Sequence, residues 1–384
     1  MESSLVADRR SRSTFCMSLH ASSSDHRARA VDVKTAARLH LGMLSFGVPD
    51  IRAYGGVGVM IDRPGVHIRM TIGQSVTGDR FHTTGPLADR AAAFARSCVE
   101  AWRLGDDAAC TIEVMQVPDS HAGLGSGTQL GLAVAAGMRQ LFGPPAIQTR
   151  PDGTIRFDTS DAVELARAVG RGRRSCVGVY GFSGGGLIVE GGRFVPADRA
   201  SDDDATRPFS PLLARVQLPA AWRCVVFGMP TAVGLHGDAE KQAFVRLPPV
   251  PREISAELSR IALMELWPAA VEGQFAEFSD ALLRYGLLAG KPFEQASSCL
   301  PYARTMADLI ETLQTWGTRG CAQSSWGPTV MACCESAAAA DSLVERFAAT
   351  ELARHYNTLI ARFDDQGVIV REIPTNHALA TGRP

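Results

Sequence analysis

The fold of this chain is decided by a glycine-rich stretch, PDSHAGLGSGT, at residues 118–128. Residues 110–117 before it alternate in polarity and predict a strand, and residues 128–142 after it are mostly apolar and predict a buried helix. Glycine lets the backbone take positive φ and approach a ligand closely, and the first turn of a helix offers unpaired N–H donors. The unit therefore favours a bound phosphate, although a tight turn without a ligand has the same pattern.

Neither of two common nucleotide-binding loops fits this stretch. No Gly-Lys-[Ser/Thr] follows the glycines, and Thr128 stands where the dinucleotide fingerprint has its third glycine. The hydroxyls of Ser126 and Thr128 could bond a phosphate oxygen or a Mg²⁺ ion. The candidate phosphate-binding residues of the loop are Gly123, Gly125, Ser126, Gly127 and Thr128.

Composition limits the classes of function. The 384 residues suffice for two packed lobes, and 46% hydrophobic and 21% charged residues are ordinary for a globular protein. The net charge of −1 gives no basic surface for a nucleic acid, and no apolar run approaches the roughly 20 residues that cross a bilayer. The nine cysteines form no CxxC pair and predict reduced thiols in the cytoplasm.

Residues 1–30 are rich in Ser and Arg and predict a disordered tail. Acidic residues (Glu2, Asp8, Asp25) argue against a transit peptide, and a start at Met17 is an alternative. Beyond the tail, interleaved strands and helices predict an α/β or α+β protein of two lobes, at 31–215 and 216–384.

Several elements are predicted from local patterns. In the first lobe these are a strand at 31–41, a hairpin joining 57–62 to 66–72, a helix at 87–103, and a hairpin joining 177–189 to 191–195. In the second lobe they are strands at 222–227, 329–333 and 367–372, and helices at 252–266, 271–289, 302–315 and 337–348.

The pattern Pro-x-x-x-x-Gly-Leu-Gly-Ser-Gly before a buried helix resembles the second motif of the GHMP superfamily, which contains galactokinase, homoserine kinase, mevalonate kinase and phosphomevalonate kinase. Residues 38–58 and 323–329 resemble its first and third motifs. The resemblance implies a GHMP kinase-like fold with the active site between the lobes.

One feature of those kinases is missing. Their segment Gly-x-x-Asp-x-x-x-x-x-x-Gly-Gly carries a catalytic aspartate, and aligning its last two glycines on Gly185 and Gly186 places Gly178 at the aspartate position. No acid stands between residues 173 and 187. Because phosphoryl transfer needs a positioned base or a metal-holding carboxylate, an ATP-dependent small-molecule kinase is the disfavoured alternative.

A wider set of motifs resembles the β-ribofuranosylaminobenzene (or β-ribofuranosylphenol) 5′-phosphate synthase family. The motifs are RLHLG (38–42), YGGVG (54–58), GRGRRS (170–175), GGGL (184–187), GDAE (237–240) and QSSWGP (323–328). The resemblance implies a pentosyltransferase that joins 5-phospho-α-D-ribose 1-diphosphate to 4-aminobenzoate or 4-hydroxybenzoate, releasing CO2 and diphosphate, in tetrahydromethanopterin-type cofactor biosynthesis. It also implies Mg²⁺ and a homodimer. A catalytically silent relative is a third possibility.

Further candidate residues lie in these motifs. Three arginines stand within four positions, with a serine beside them: Arg171, Arg173, Arg174 and Ser175. The arginines suit phosphate recognition because arginine binds phosphate in a bidentate way, although a solvated basic turn is the alternative. Arg38 and His40 alternate on one strand and share a face, where they contact a ligand or form a surface pair.

The last candidates lie in the second half of the chain. Glu240 is either a Mg²⁺ ligand, together with Ser126, or part of a helix start. The loop bearing Gln323, Ser324, Ser325 and Trp326 either holds the aromatic acid, with the indole stacked on its ring, or is only a loop around a buried indole. The catalytic candidates are Ser126, Arg174 and Glu240.

Overall fold

The computed structural model describes residues 30–48, 51–73, 79–120, 122–143, 148–194, 208–230, 232, 242–294, 303–325 and 327–373. The strands are β1 (Ala30–Lys34), β2 (Ala37–Ser45), β3 (Tyr54–Ile61), β4 (His67–Ile72), β5 (Phe81–Thr84), β6 (Cys110–Gln116), β7 (Gln148–Thr149), β8 (Ile155–Arg156), β9 (Leu187–Glu190), β10 (Leu212–Val216), β11 (Arg223–Gly228), β12 (Cys321–Gln323), β13 (Thr329–Cys334), β14 (Asn357–Arg362) and β15 (Ile369–Ile373).

The helices are α1 (Ala88–Trp102), α2 (Ser126–Phe142), α3 (Thr159–Ala168), α4 (Val177–Gly184), α5 (Arg252–Ile261), α6 (Trp267–Glu272), α7 (Phe275–Gly290), α8 (Ala303–Thr315) and α9 (Ala337–Ala348). A π-helical segment at Ala262–Leu266 joins α5 to α6.

The first sheet has the order β5-β6-β4-β1-β15-β8-β7 and is antiparallel except between β5 and β6. Its apolar face packs against α1 to α4 around residues such as Met70, Leu132 and Phe182. Because β15 pairs with β1, the last of the described strands belongs to the sheet of the N-terminal lobe.

The second sheet, β10-β9-β3-β2, lies between two layers of helices. Met60 of β3 packs in the core that contains α4, whereas Val57 and Val59 pack in the core that contains α5 to α7. Burial on both faces explains why every residue of β3 is buried. The third sheet, β12-β13-β11-β14, packs on α8 and α9.

Three sequence predictions are corrected by the topology. The strand predicted at 31–41 is divided between β1 and β2, which lie in different sheets. The segments 57–62 and 66–72 are both strands, but β3 and β4 also lie in different sheets and do not pair. Alternating polarity specifies which face of a strand is buried and does not specify its partner.

The third correction concerns residues 177–184, which are the helix α4 rather than part of a hairpin. Valine and aromatic residues favour a strand there, yet the segment is buried between α2 and β3. A Cβ at Gly181 would lie 2.3 Å from Met60 Sδ, so the glycine permits this close packing. Residues 187–190 are a strand, as predicted, and pair with β3 and β10.

Differences in the second lobe are smaller. The helix predicted at 271–289 begins at Phe275, since Gly273 at φ 69° ends α6, and β14 was not predicted. The described cysteines are free and buried. In the described part of the chain, no helix has both the length and the apolarity that crossing a bilayer requires.

Candidate active site

The site is built on the free edge of β2, which is the last strand of the second sheet. Arg38 N–H donates to the Leu124 carbonyl of the glycine loop at 3.0 Å. His40 N–H donates to Ser324 Oγ at 3.0 Å, and the His40 carbonyl accepts from Ser325 N–H at 2.9 Å. These backbone N–H and C=O groups on the edge of β2 are therefore hydrogen-bonded by two loops, one from each lobe, which meet along β2.

The glycine loop turns from β6 into α2 through positive φ at Gly123 (88°) and Gly125 (72°). Gly125 is the residue before the first turn of α2, and no side chain caps that turn. Ser126 is buried at the start of the helix. The predicted strand, glycine loop and helix are therefore confirmed. An uncapped helix N-terminus on a glycine turn suits an anion, and phosphate binding stays a prediction.

Arg38 and Gly178 lie beside this helix end. A Cβ at Gly125 would lie 3.1 Å from Arg38 Cβ, and a Cβ at Gly178 would lie 3.4 Å from Thr128 Cγ2. Gln129 donates from Nε2 to the Gly178 carbonyl at 2.8 Å and so holds the start of α4 against α2. Gly178, which the motif alignment sets at the kinase aspartate position, therefore lies beside the helix end and has no side chain there.

A pair of arginines lies on the other side of the helix end. A Cβ at Gly127 would lie 2.5 Å from Arg90 Nη2, so this guanidinium covers the first turn of α2. Arg90 and Arg171 both stack on Phe94, at 5.9 Å and 5.0 Å from its ring centre. Burial, together with the charges of Arg90 and Arg173, lowers the pKa of Arg171 to about 10. Like charges held together at a helix N-terminus suit a polyanionic ligand.

Arg174 and Ser175 point to different neighbours. Arg174 stacks on Phe244 at 4.8 Å, and Ser175 lies beside the carboxylate of Glu190. Glu190 is fully buried on β9 and accepts from Cys176 N–H at 2.7 Å. Burial raises the pKa of Glu190, and Ser175 and Arg38 oppose that rise. In the GRGRRS segment, Arg171 therefore lies at Phe94, near the start of α2, and Arg174 lies at Phe244.

The QSSWGP loop packs against the glycine loop, backbone to backbone. A Cβ at Gly123 would lie 2.6 Å from the Ser324 carbonyl oxygen, and one at Gly327 would lie 2.4 Å from the Ala122 carbonyl oxygen. Ser324 is fully buried, and its hydroxyl donates to the Gly123 carbonyl at 2.7 Å while it accepts from His40 N–H. Ser324 therefore joins the two lobes, and Gln323 shapes the loop by donating to the Gly327 carbonyl at 3.1 Å.

His40 is enclosed at this junction. It is 3% exposed, and burial followed by the charge of Arg38 lowers its pKa to about 3. The imidazole is therefore neutral at physiological pH. Its Nε2 has no hydrogen-bond partner among the described residues.

Two predicted site residues, Trp326 and Glu240, lie outside the described residues. Among the residues that the structure describes, no three His, Cys, Asp or Glu side chains form a metal-binding cluster. Of the predicted magnesium ligands, Ser126 is at the glycine loop.

Two residues of the site were missed from the sequence. Arg90 lies in the helix predicted at 87–103 and was not among the candidate residues, although its i,i+4 spacing to Phe94 was the available signal. Glu190 is a single carboxylate in the apolar segment LIVE, and a charge in a strand buried on both faces was the signal there.

Comparisons with known proteins bear on this geometry. No family model matches the chain. The chain is 29% identical over 350 residues to the β-ribofuranosylphenol 5′-phosphate synthase of Archaeoglobus fulgidus, covering 88% of this chain and 98% of that protein. It is 28% identical over 317 residues to the protein of the same name from Methanothermobacter thermautotrophicus, covering 78% and 87%.

Solved structures are similar in fold at lower identity. Mevalonate pyrophosphate decarboxylase from Streptococcus pyogenes matches with a TM-score of 0.61 at 14% identity, covering 88% of this chain and 98% of that one. Homoserine kinase from Cytophaga hutchinsonii matches with a TM-score of 0.56 at 18% identity, covering 89% and 97%. The chain therefore has the GHMP kinase fold, and its sequence is similar over most of its length to the β-ribofuranosylphenol 5′-phosphate synthases, as its motifs predict.

Proposed function

We propose that this protein is a decarboxylating pentosyltransferase. It joins 5-phospho-α-D-ribose 1-diphosphate to the ring carbon of 4-aminobenzoate or 4-hydroxybenzoate that carries the carboxylate, and it releases CO2 and diphosphate. The main supporting observation is Gly178, which lies beside Arg38 and Thr128 at the candidate phosphate site and supplies no acid. Similarity to the β-ribofuranosylphenol 5′-phosphate synthases supports this choice over a kinase, which the fold alone supports.

The reaction needs charge stabilisation more than it needs a strong base. The C1–O bond of the ribose breaks with its electron pair going to diphosphate, which leaves an oxocarbenium-like centre. The ring carbon attacks that centre, and the para amino or hydroxyl group donates electron density. The bond to the carboxylate then breaks, and its electron pair restores the aromatic ring as CO2 departs. Because CO2 takes the place of a proton, no side-chain base has to remove one from the ring.

The described residues fit the anionic part of this substrate. The uncapped first turn of α2, Arg90, Arg171 and Arg38 surround the glycine loop and stabilise negative charge that grows on the leaving diphosphate. His40 is neutral, so it adds no positive charge of its own beside the carboxylate.

The oxygen donors at the loop also fit Mg²⁺. This ion usually keeps several waters and binds through substrate phosphates with few protein ligands, so the Ser126 hydroxyl beside a bound diphosphate is a sufficient protein donor. When bound, the ion neutralises the departing diphosphate. We also propose that the protein acts in the cytoplasm, because the described cysteines are free thiols. The proposed oligomer is a homodimer.

Parallel incubations test the proposed class of reaction. The protein is incubated with phosphoribosyl diphosphate and each benzoate, and separately with ATP and small alcohols, with Mg²⁺ in both. We expect diphosphate to form in the first set and no ADP in the second. ADP formation at a comparable rate would restore the kinase alternative, and neither product would indicate a catalytically silent relative.

A further inference from the structure

A cavity of about 450 Å³ is lined by His40 and Ser325 and by none of the described residues of the glycine loop. It is enclosed by β2, β12, α7 and α8. Its apolar lining residues are Leu41, Gly42, Met43, Gly286, Leu287, Ala289, Gly290, Phe293, Ala307, Ile310, Cys321 and Ala322. Six polar residues accompany these twelve, and a mostly apolar lining with some polar groups is typical of a site for a small, largely apolar ligand; the six are His40, Glu294, Glu311, Gln314, Gln323 and Ser325.

The inner end of the cavity adjoins the reaction centre. His40, Gln323 and Ser325 line it there. Ser325 N–H donates to the His40 carbonyl, and the neighbouring Ser324 donates to Gly123 of the glycine loop. Ser325, which lines the cavity, is therefore the chain neighbour of Ser324, which contacts the candidate phosphate loop.

The walls of the cavity leave apolar surface uncovered. Leu287 on α7 is 50% exposed, although it lines the cavity. Gly290 on the same helix leaves room beside it, because a Cβ there would meet no atom within 4 Å, whereas a Cβ at Gly286 would lie 3.0 Å from Ala322 Cβ. A dry cavity of about 150 Å³ accepts benzene, so this volume accepts a substituted benzene ring.

The charges at the two ends favour one orientation. Arg38 lies beside His40 at the inner end without lining the cavity, and two exposed carboxylates line it elsewhere, Glu294 and, on α8, Glu311. A carboxylate is attracted to the inner end and repelled from Glu311, whereas an amino or hydroxyl donor suits the carboxylate of Glu311. The carboxyl-bearing carbon of a para-substituted benzoate then faces the ribose site.

We infer that the cavity between β2, α7, α8 and β12 is the subsite for the aromatic acid, which lies with its carboxylate toward His40 and its para substituent toward Glu311. This rests on the proposed function. The bond from this carbon to ribose C1 forms at the inner end, and the bond to the carboxylate then breaks as CO2 departs. The assignment adds Leu287, Gly290 and Glu311 to the residues that select the acceptor.

Substitution of Gly290 tests the subsite. Gly290 has φ −73°, which any L residue adopts, so Gly290→Leu fills the cavity without straining the backbone. The matched control is Gly73→Leu, at a glycine that also has open space but lies beyond β4. Steady-state kinetics are measured with each substrate varied in turn, and circular dichroism verifies folding.

We expect Gly290→Leu to raise KM for the benzoate at least tenfold and to change KM for phosphoribosyl diphosphate less than twofold, while Gly73→Leu changes neither. An unchanged benzoate KM in folded Gly290→Leu would overturn the subsite and leave the reaction intact. Glu311→Gln should change the ratio of kcat/KM between 4-aminobenzoate and 4-hydroxybenzoate, and an unchanged ratio would overturn the orientation. Failure of the wild-type protein to turn over either benzoate would overturn both the function and the subsite.

Discussion

Replacing Gly125 by alanine separates the cost of bending the glycine loop from the cost of losing its ligand. Gly125 has φ 72°, and an added Cβ would lie 3.1 Å from Arg38 Cβ and 3.4 Å from Arg38 Nε. An alanine in this left-handed conformation costs about 1–2 kcal/mol of stability. The 3.1 Å contact also moves Arg38 away from the helix end, which removes a charge-assisted hydrogen bond of about 1.5–3 kcal/mol from a bound phosphate.

The affinity for phosphoribosyl diphosphate should therefore fall by about 10- to 100-fold in Gly125→Ala, as measured by calorimetry. Gly153→Ala is the matched control, because Gly153 has φ 81° and an added Cβ meets no atom within 4 Å. Both variants should lose similar stability in urea denaturation, and only Gly125→Ala should lose affinity. Wild-type affinity in a folded Gly125→Ala would refute the assignment of the loop and Arg38 to phosphate binding.

Three further changes have definite expected outcomes. Arg90→Met should weaken phosphoribosyl diphosphate binding about tenfold, while Arg96→Met on the exposed face of α1 should not, and equal effects in calorimetry would contradict the role of Arg90. Ser324→Ala should lower the unfolding free energy by about 1–3 kcal/mol for each of its two backbone partners left unpaired, and an unchanged urea midpoint would contradict this. His40 has a pKa of about 3 in the folded protein and 6.5 in the unfolded protein, so below pH 6.5 protons bind the unfolded state preferentially. By pH 4 the unfolding free energy of the wild-type protein should therefore fall by about 3 kcal/mol more than that of His40→Gln. An equal fall in the unfolding free energies of the two proteins, measured by urea denaturation at acid pH, would contradict this.

The unit of β6, glycine loop and α2 was predictable because its signals are local. Alternation, a glycine cluster and an apolar helical run lie within one continuous segment. The partners of β3 and β4 were not predictable, since their alternation is equally compatible with a hairpin and with two sheets. Residues 177–184 form a helix because Gly181 fits against Met60, a contact between distant segments that local propensity does not contain.

Some residues of the candidate site were likewise predictable from the sequence and others were not. The sequence places Arg38, His40 and the glycine loop in motifs, and the structure brings them together on the edge of β2. Arg90 was not predicted as a site residue, because a charged residue on an amphipathic helix usually faces solvent. The packing of α1 on α2 places its guanidinium next to Gly127, and the sequence does not specify that packing. The burial of Ser324 between the lobes depends on a contact across 201 residues of chain.

The most direct measurement of the proposed reaction follows the carboxylate. The protein is given phosphoribosyl diphosphate, Mg²⁺ and 4-aminobenzoate or 4-hydroxybenzoate labelled at the carboxyl carbon, and labelled CO2 and diphosphate are counted together. We predict that one labelled CO2 appears for each diphosphate released and that the ribosylated product carries no label. A ribosylated product that retains the labelled carboxylate would mean transfer to nitrogen or oxygen and would contradict decarboxylating C-glycosyl transfer.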